Sequence, residues 1–158
     1  MEVFFECYNY RSMKTILDKL TAQIESLKKV LQEQDIYVQQ ISKASVYWHI
    51  QHSLLTIEKI FQSLQESNPE LYTPSFKLGK LFVFRAGIIP RGRAESPQVV
   101  QPTERYTYEQ IQQEIQKIQT LLPLFSQLAV HAYFEHPFLG KLKTDEAIKF
   151  LVIHHIII

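Results

Sequence analysis

Apolar residues recur along this chain at helical spacing. Ile16, Leu20, Ile24, Leu27 and Leu31 follow one another at four, four, three and four residues, which sets them on one face of a helix. Lys14, Lys19, Glu25, Lys28 and Lys29 fall on the remaining surface, and Ser12 has the hydroxyl of a good N-cap, so the pattern predicts a helix from Ser12 to about Glu33. A second amphipathic stretch runs from about Ser42 to Gln65, with Ile50, Leu54, Ile57, Phe61 and Leu64 as its main stripe. Trp48, His52 and Leu55 keep the same period on nearly the opposite side. A helix apolar on two faces is buried on both, or borders the core on one side and a pocket on the other.

Five of the seven prolines, Pro69, Pro74, Pro90, Pro97 and Pro102, lie between about Asn68 and Arg105. A connection of that length is unusual as pure loop. Phe76 to Ala86 therefore reads as a short helix ending near Gly87, and Ile88 to Pro102 as extended, irregular chain. The third main helix begins near Thr107, where Gln110 completes a capping box, and carries Ile111, Ile115, Ile118 and Leu122 as its stripe. Pro123 predicts a kink or break, with the helix resuming through Leu124 to Tyr133. His136 to Leu142 reads as a turn. Thr144 then caps a last helix, with Asp145 and Glu146 in its first turn and Ala147, Phe150, Leu151, His154, Ile157 and Ile158 facing inward. Glycine is confined to Gly79, Gly87, Gly92 and Gly140, which favours helices over a fold of strands and turns. The predicted fold is all-α: a four-helix bundle with a short extra helix and a long irregular connection between the second and third main helices.

At 158 residues, with 46% hydrophobic and 21% charged residues, the chain fits one globular domain spanning 1–158. The net charge of +1 gives no global field toward nucleic acid or an anionic membrane. Cys7 is the single cysteine, so no intrachain disulfide forms, which suits a reducing compartment. The early acids Glu2 and Glu6 replace the basic region of a signal peptide, and no stretch reaches the length of a membrane span. A cytoplasmic location is the expectation, with neither nucleic acid nor membrane as partner.

Candidate chemistry rests first on the six histidines, His49, His52, His131, His136, His154 and His155. Neutral imidazole is the commonest metal ligand and a versatile acid or base. His52 lies on the Trp48 face of the second helix and His154 on the inward stripe of the last, so the two are expected to meet across the bundle, with Trp48 and His49 beside them as pocket residues. Set against a metal, no HExxH, CxxC or His-x3-His pattern occurs. His154 and His155 point about 100° apart on a helix, so both do not easily face one ion. A histidine on an apolar face is also more often a hydrogen-bonded core residue than a ligand. Arg85, Arg91 and Arg93, set around Gly87 and Gly92, offer guanidinium forks for a carboxylate or phosphate, although a solvated positive loop is the plainer reading. Cys7, Ser45 and Ser53 sit in no recognisable nucleophile arrangement, and Glu135 and His136, being adjacent, do not face each other on a helix.

Four segments in order, Trp48-His49-Ile50-Gln51-His52-Ser53-Leu54, Gly87-Ile88-Ile89-Pro90-Arg91-Gly92, His136-Pro137-Phe138-Leu139-Gly140-Lys141-Leu142 and Phe150-Leu151-Val152-Ile153-His154-His155, resemble the landmarks of the DinB/YfiT-like metalloenzyme superfamily, in a branch designated a domain of unknown function. The resemblance covers the chain from the second helix to its end. It implies a bundle holding zinc or nickel on three histidines, one from the second helix and two a turn apart on the last. His52 matches the first. Aligned without a gap from Gly140, His154 matches the second and Ile158 stands where the third belongs; in the shifted register His155 is the later ligand and Leu151 replaces the earlier one. Either way the set is one short. The resemblance thus implies a divalent-metal-dependent transferase or hydrolase with an incomplete site, acting on a small molecule, with Arg91 holding an anionic tail. The alternative is a non-catalytic bundle that keeps the pocket, or a homodimer using Ile156 to Ile158, which cannot all face one core.

Overall fold

The computed structural model describes residues 2–89 and 96–155. Among them are five α-helices: α1 (Glu2–Val30), α2 (Val46–Glu66), α3 (Leu78–Ala86), α4 (Tyr108–Leu121) and α5 (Thr144–His155). A two-stranded antiparallel sheet, β1 (Tyr133–His136) and β2 (Gly140–Lys143), stands between α4 and α5. Short 3-10 turns occupy Pro69–Leu71, Gln98–Val100 and Leu122–Gln127. No helix among the described residues is long and apolar enough to cross a membrane.

The long helices follow the apolar stripes. Leu20 and Ile24 of α1, Ile50, Leu54, Ile57 and Leu64 of α2, Ile111, Ile115 and Ile118 of α4, and Ala147, Ile148 and Leu151 of α5 are buried in one core. That burial of aliphatic surface is the main force holding the helices together. α1 packs on α5 and α4, and α2 on α4 and α5, so each long helix closes the core for two others. Thr107 and Gln110 form the expected capping box at the start of α4. Gly87 ends α3 with φ 67°, a conformation that glycine adopts without a Cβ penalty.

Several expectations need correction. The first helix begins at Glu2 and not at Ser12, because nothing between them breaks a helix, and it ends at Val30 short of Glu33. The second helix begins at Val46 and not at about Ser42, capped by Ser45, whose hydroxyl accepts from the Trp48 amide at 3.3 Å. The helix does not resume after Pro123: the chain tightens into a 3-10 turn that buries Leu122 and Phe125 and ends at Gln127. Finally, the fold is mostly helical and not all-α, since Tyr133 to Lys143 is a hairpin and not a plain turn. Phe134 and Leu142, paired across it, point into the core, while their neighbours Glu135 and Lys141 pair on the other face. Thr144 opens α5 without capping it. Its hydroxyl donates to the carbonyls of Ala129 and Ala132, tying the helix start to the chain before the hairpin.

The hairpin turns through Pro137, Phe138 and Leu139 into Gly140, whose φ is 73°. A Cβ at Gly140 would be strained by that angle and would collide with the Ser75 hydroxyl, so Gly140→Ala is expected to cost about 2 kcal/mol in a urea melt.

Candidate functional site

Between α2, α3, the hairpin and α5 lies a cavity of about 540 Å³. Its wall is mostly apolar, with Ile60, Val83, Phe134 and Phe150 among its residues, and three histidines, His52, His136 and His154, supply much of its polarity. Lys59 and Glu135 also border it.

The rings form a row. Trp48 stacks on His52 with centroids 5.2 Å apart and planes 13° from parallel. His52 meets His154 at 5.1 Å, His154 meets Phe150 at 5.7 Å, and Phe150 meets His136 at 5.0 Å. The Trp48 face of α2 and the inward stripe of α5 thus bring together two histidines 102 residues apart in sequence.

Hydrogen-bond partners fix where the protons sit. The Nδ1 of His52 lies 2.8 Å from the Val100 carbonyl, which can only accept, so Nδ1 carries the proton and Nε2 offers a lone pair. That lone pair is 3.2 Å from Nε2 of His154, which therefore donates. The Nδ1 of His154 is then left as a buried acceptor without a hydrogen-bond partner among the described residues. His136 is used the other way round: its Nδ1 accepts from the amides of Phe138 and Leu139 at 3.2 and 3.3 Å, so its Nε2 carries the proton.

Burial holds these rings neutral. It draws His52 below the ordinary histidine value, with the Val100 hydrogen bond opposing it. It takes His136 down to about 4 and His154 down to about 3, the latter helped by repulsion from the imidazoles of His155, His52 and His136. At neutral pH the three histidines that line the cavity are therefore uncharged.

The other expected site residues are placed differently. His155 turns back on its own helix, with Nδ1 donating to the Leu151 carbonyl at 2.7 Å, and burial lowers it to about 4. Leu151 is fully buried in the core. His49 bonds the Ser42 hydroxyl through Nε2 at 2.8 Å. Arg91, Arg93 and Ile156 to Ile158 lie outside the described residues. His136, which the sequence reading treated as part of a turn, is brought to the cavity by the hairpin. The only sequence signal for it was the alternation of Phe134 and Leu142 around a Pro137–Gly140 turn.

Two of these nitrogens suit a divalent ion. Ligands of a tetrahedral zinc at about 2.0–2.1 Å stand about 3.4 Å apart, close to the observed separation of the two Nε2 atoms. The Val100 carbonyl orients His52 as an outer partner of a metal ligand would. The three-histidine set does not fit, because among the described residues no group of three His, Cys, Asp or Glu side chains gathers as a metal centre requires.

Comparison of the chain with protein-family models, with curated proteins and with solved structures returns no match, so the fold and this ring-lined cavity are the ground on which its function is read.

Proposed function

We propose that the cavity binds a small, mainly apolar molecule carrying one hydroxyl- or thiol-like group, held between the His154 lone pair and the His136 N–H. The observation that carries this reading is the buried Nδ1 of His154, an acceptor with no donor among the described residues, on a ring that borders a largely apolar cavity. A buried polar atom left without a partner costs about 1–3 kcal/mol, and a ligand that donates to it recovers that energy on binding. Pockets of this kind, apolar with a few convergent polar groups, are the usual form of small-molecule sites. Calorimetric titration with 1-naphthol and with its isostere 1-methylnaphthalene tests the reading. The hydroxyl is expected to gain about tenfold in affinity, and His154→Phe to erase that gain. Equal affinity of the two compounds in the unaltered protein would exclude the role given to His154.

A second reading is favoured by the spacing of the two Nε2 atoms and the tautomer of His52, and it requires the His154 proton to move from Nε2 to Nδ1. Here the chain is a bundle of the DinB/YfiT-like type in which these two nitrogens hold zinc or nickel loosely, in support of transferase or hydrolase chemistry. Two protein ligands give weak binding, so the expected result is a rise in melting temperature only at excess metal, lost in His52→Ala. No effect of either metal on tag-free protein removes this second reading and leaves the first intact.

A further inference from the structure

From Leu71 to Ala94 the sequence holds five basic side chains and no acidic one, in a chain whose net charge is +1. The rest of the molecule accordingly carries a net −4. The charges of this stretch within the described residues are Lys77, Lys80 and Arg85, at or on α3. Lys80 is engaged by Glu146 at 2.7 Å, while Lys77 and Arg85 are exposed.

The same stretch is apolar on its outer side. Phe76 is 82% exposed, Leu78 75%, Leu81 58% and Phe82 51%, whereas α3 reaches the core chiefly through the buried Val83. Large apolar side chains standing together on a surface mark a contact site. The patch continues around the cavity mouth, because Phe82 lines the cavity along with Val99 and Phe138, which are 60% and 61% exposed.

We propose that α3 and the rim beside it dock on the surface of an anionic lipid bilayer. Leu78, Leu81 and Phe82 enter the boundary between headgroups and acyl chains, and Lys77 and Arg85 lie against the headgroup phosphates. Apolar side chains interleaved with cations on one short helix are the composition that an anionic interface takes up. A second copy of this chain fits less well, since a two-fold contact would set the same positive patch against itself. An acidic protein would meet the charges but gives no account of apolar side chains that project from a helix instead of lining a groove. This inference stands on α3 and does not rest on what the cavity binds.

The test is co-sedimentation of the full chain with vesicles of phosphatidylcholine alone and of phosphatidylcholine with one-quarter phosphatidylglycerol. The protein is expected to partition onto the anionic vesicles and to be released as salt rises from 0.1 to 0.5 M. One basic side chain near an anionic surface is worth about fivefold in partitioning, so reversing two in Lys77→Glu/Arg85→Glu is expected to weaken it at least twentyfold. Leu81→Asp/Phe82→Asp is expected to abolish it at an unchanged melting temperature, and if that variant misfolds the charge-reversal pair carries the test. Three results overturn the proposal: no sedimentation with anionic vesicles, equal binding to both vesicle types, or undiminished binding by the charge-reversed variant. Concentration-dependent dimerisation abolished by Leu81→Asp, without vesicle binding, assigns the face to a second copy instead.

Discussion

Between pH 7 and pH 4.5 the protein is expected to lose roughly 3 kcal/mol or more of its stability toward urea. The cause is the set of buried imidazoles. His136 and His155 are held at about 4 and His154 at about 3, against an ordinary 6.5 in the unfolded chain. Burial is the first cause for each. Below about pH 6.5 the unfolded chain takes up protons that the folded protein refuses, so acid pulls the equilibrium toward unfolding. The loss therefore begins near pH 6.5, steepens through pH 5 and flattens once the folded rings also protonate, between about 4 and 3. Urea melts followed by circular dichroism at half-unit steps from pH 7.5 to pH 4 give the curve. His154→Phe removes one site of proton uptake and is expected to make the slope shallower. A midpoint that stays level from pH 7 to pH 5 would mean that these rings are hydrated in solution.

The second large effect concerns a residue outside the regular helices. Phe125→Ala is expected to cost about 3–5 kcal/mol, the range for emptying a large aromatic site in a packed core. Phe125 is fully buried, and its ring meets Phe61 of α2 edge-on with centroids 5.0 Å apart. The 3-10 turn after Pro123 aims it there, as a continued helix would not. Leu124, next to it and 40% exposed, is the control: Leu124→Ala is expected to cost less than about 1 kcal/mol. Similar losses at the two positions would place the packing elsewhere.

The contrast shows which parts of the molecule could be read from the residues alone. α2 and α4 were legible because their apolar residues hold a helical period over several turns, and the start of α4 also carries a capping box. The meeting of His52 with His154 was legible for the same reason, since His52 lies on the second apolar face of α2 and His154 on the inward stripe of α5. The hairpin was not. Its two strands have four residues each, and two inward positions are too few to separate a strand from a turn. His49 was expected beside His52 but is drawn aside by Ser42, a local partner that helical periodicity does not register. The cavity itself depends on long-range packing of α3 and the hairpin against α2 and α5, so only its histidine end was legible in the sequence.

One bond described above ties two scales together. The Val100 carbonyl belongs to the connection from α2 to α4, yet it decides which nitrogen of His52 holds the hydrogen. Lengthening or shortening that connection would leave the helical core in place and still let the imidazole change tautomer, exchanging a lone pair for a donor against His154. The connection thus acts as a latch on the chemistry of a ring in another element, and insertions there would be felt as altered recognition before they were felt as altered folding.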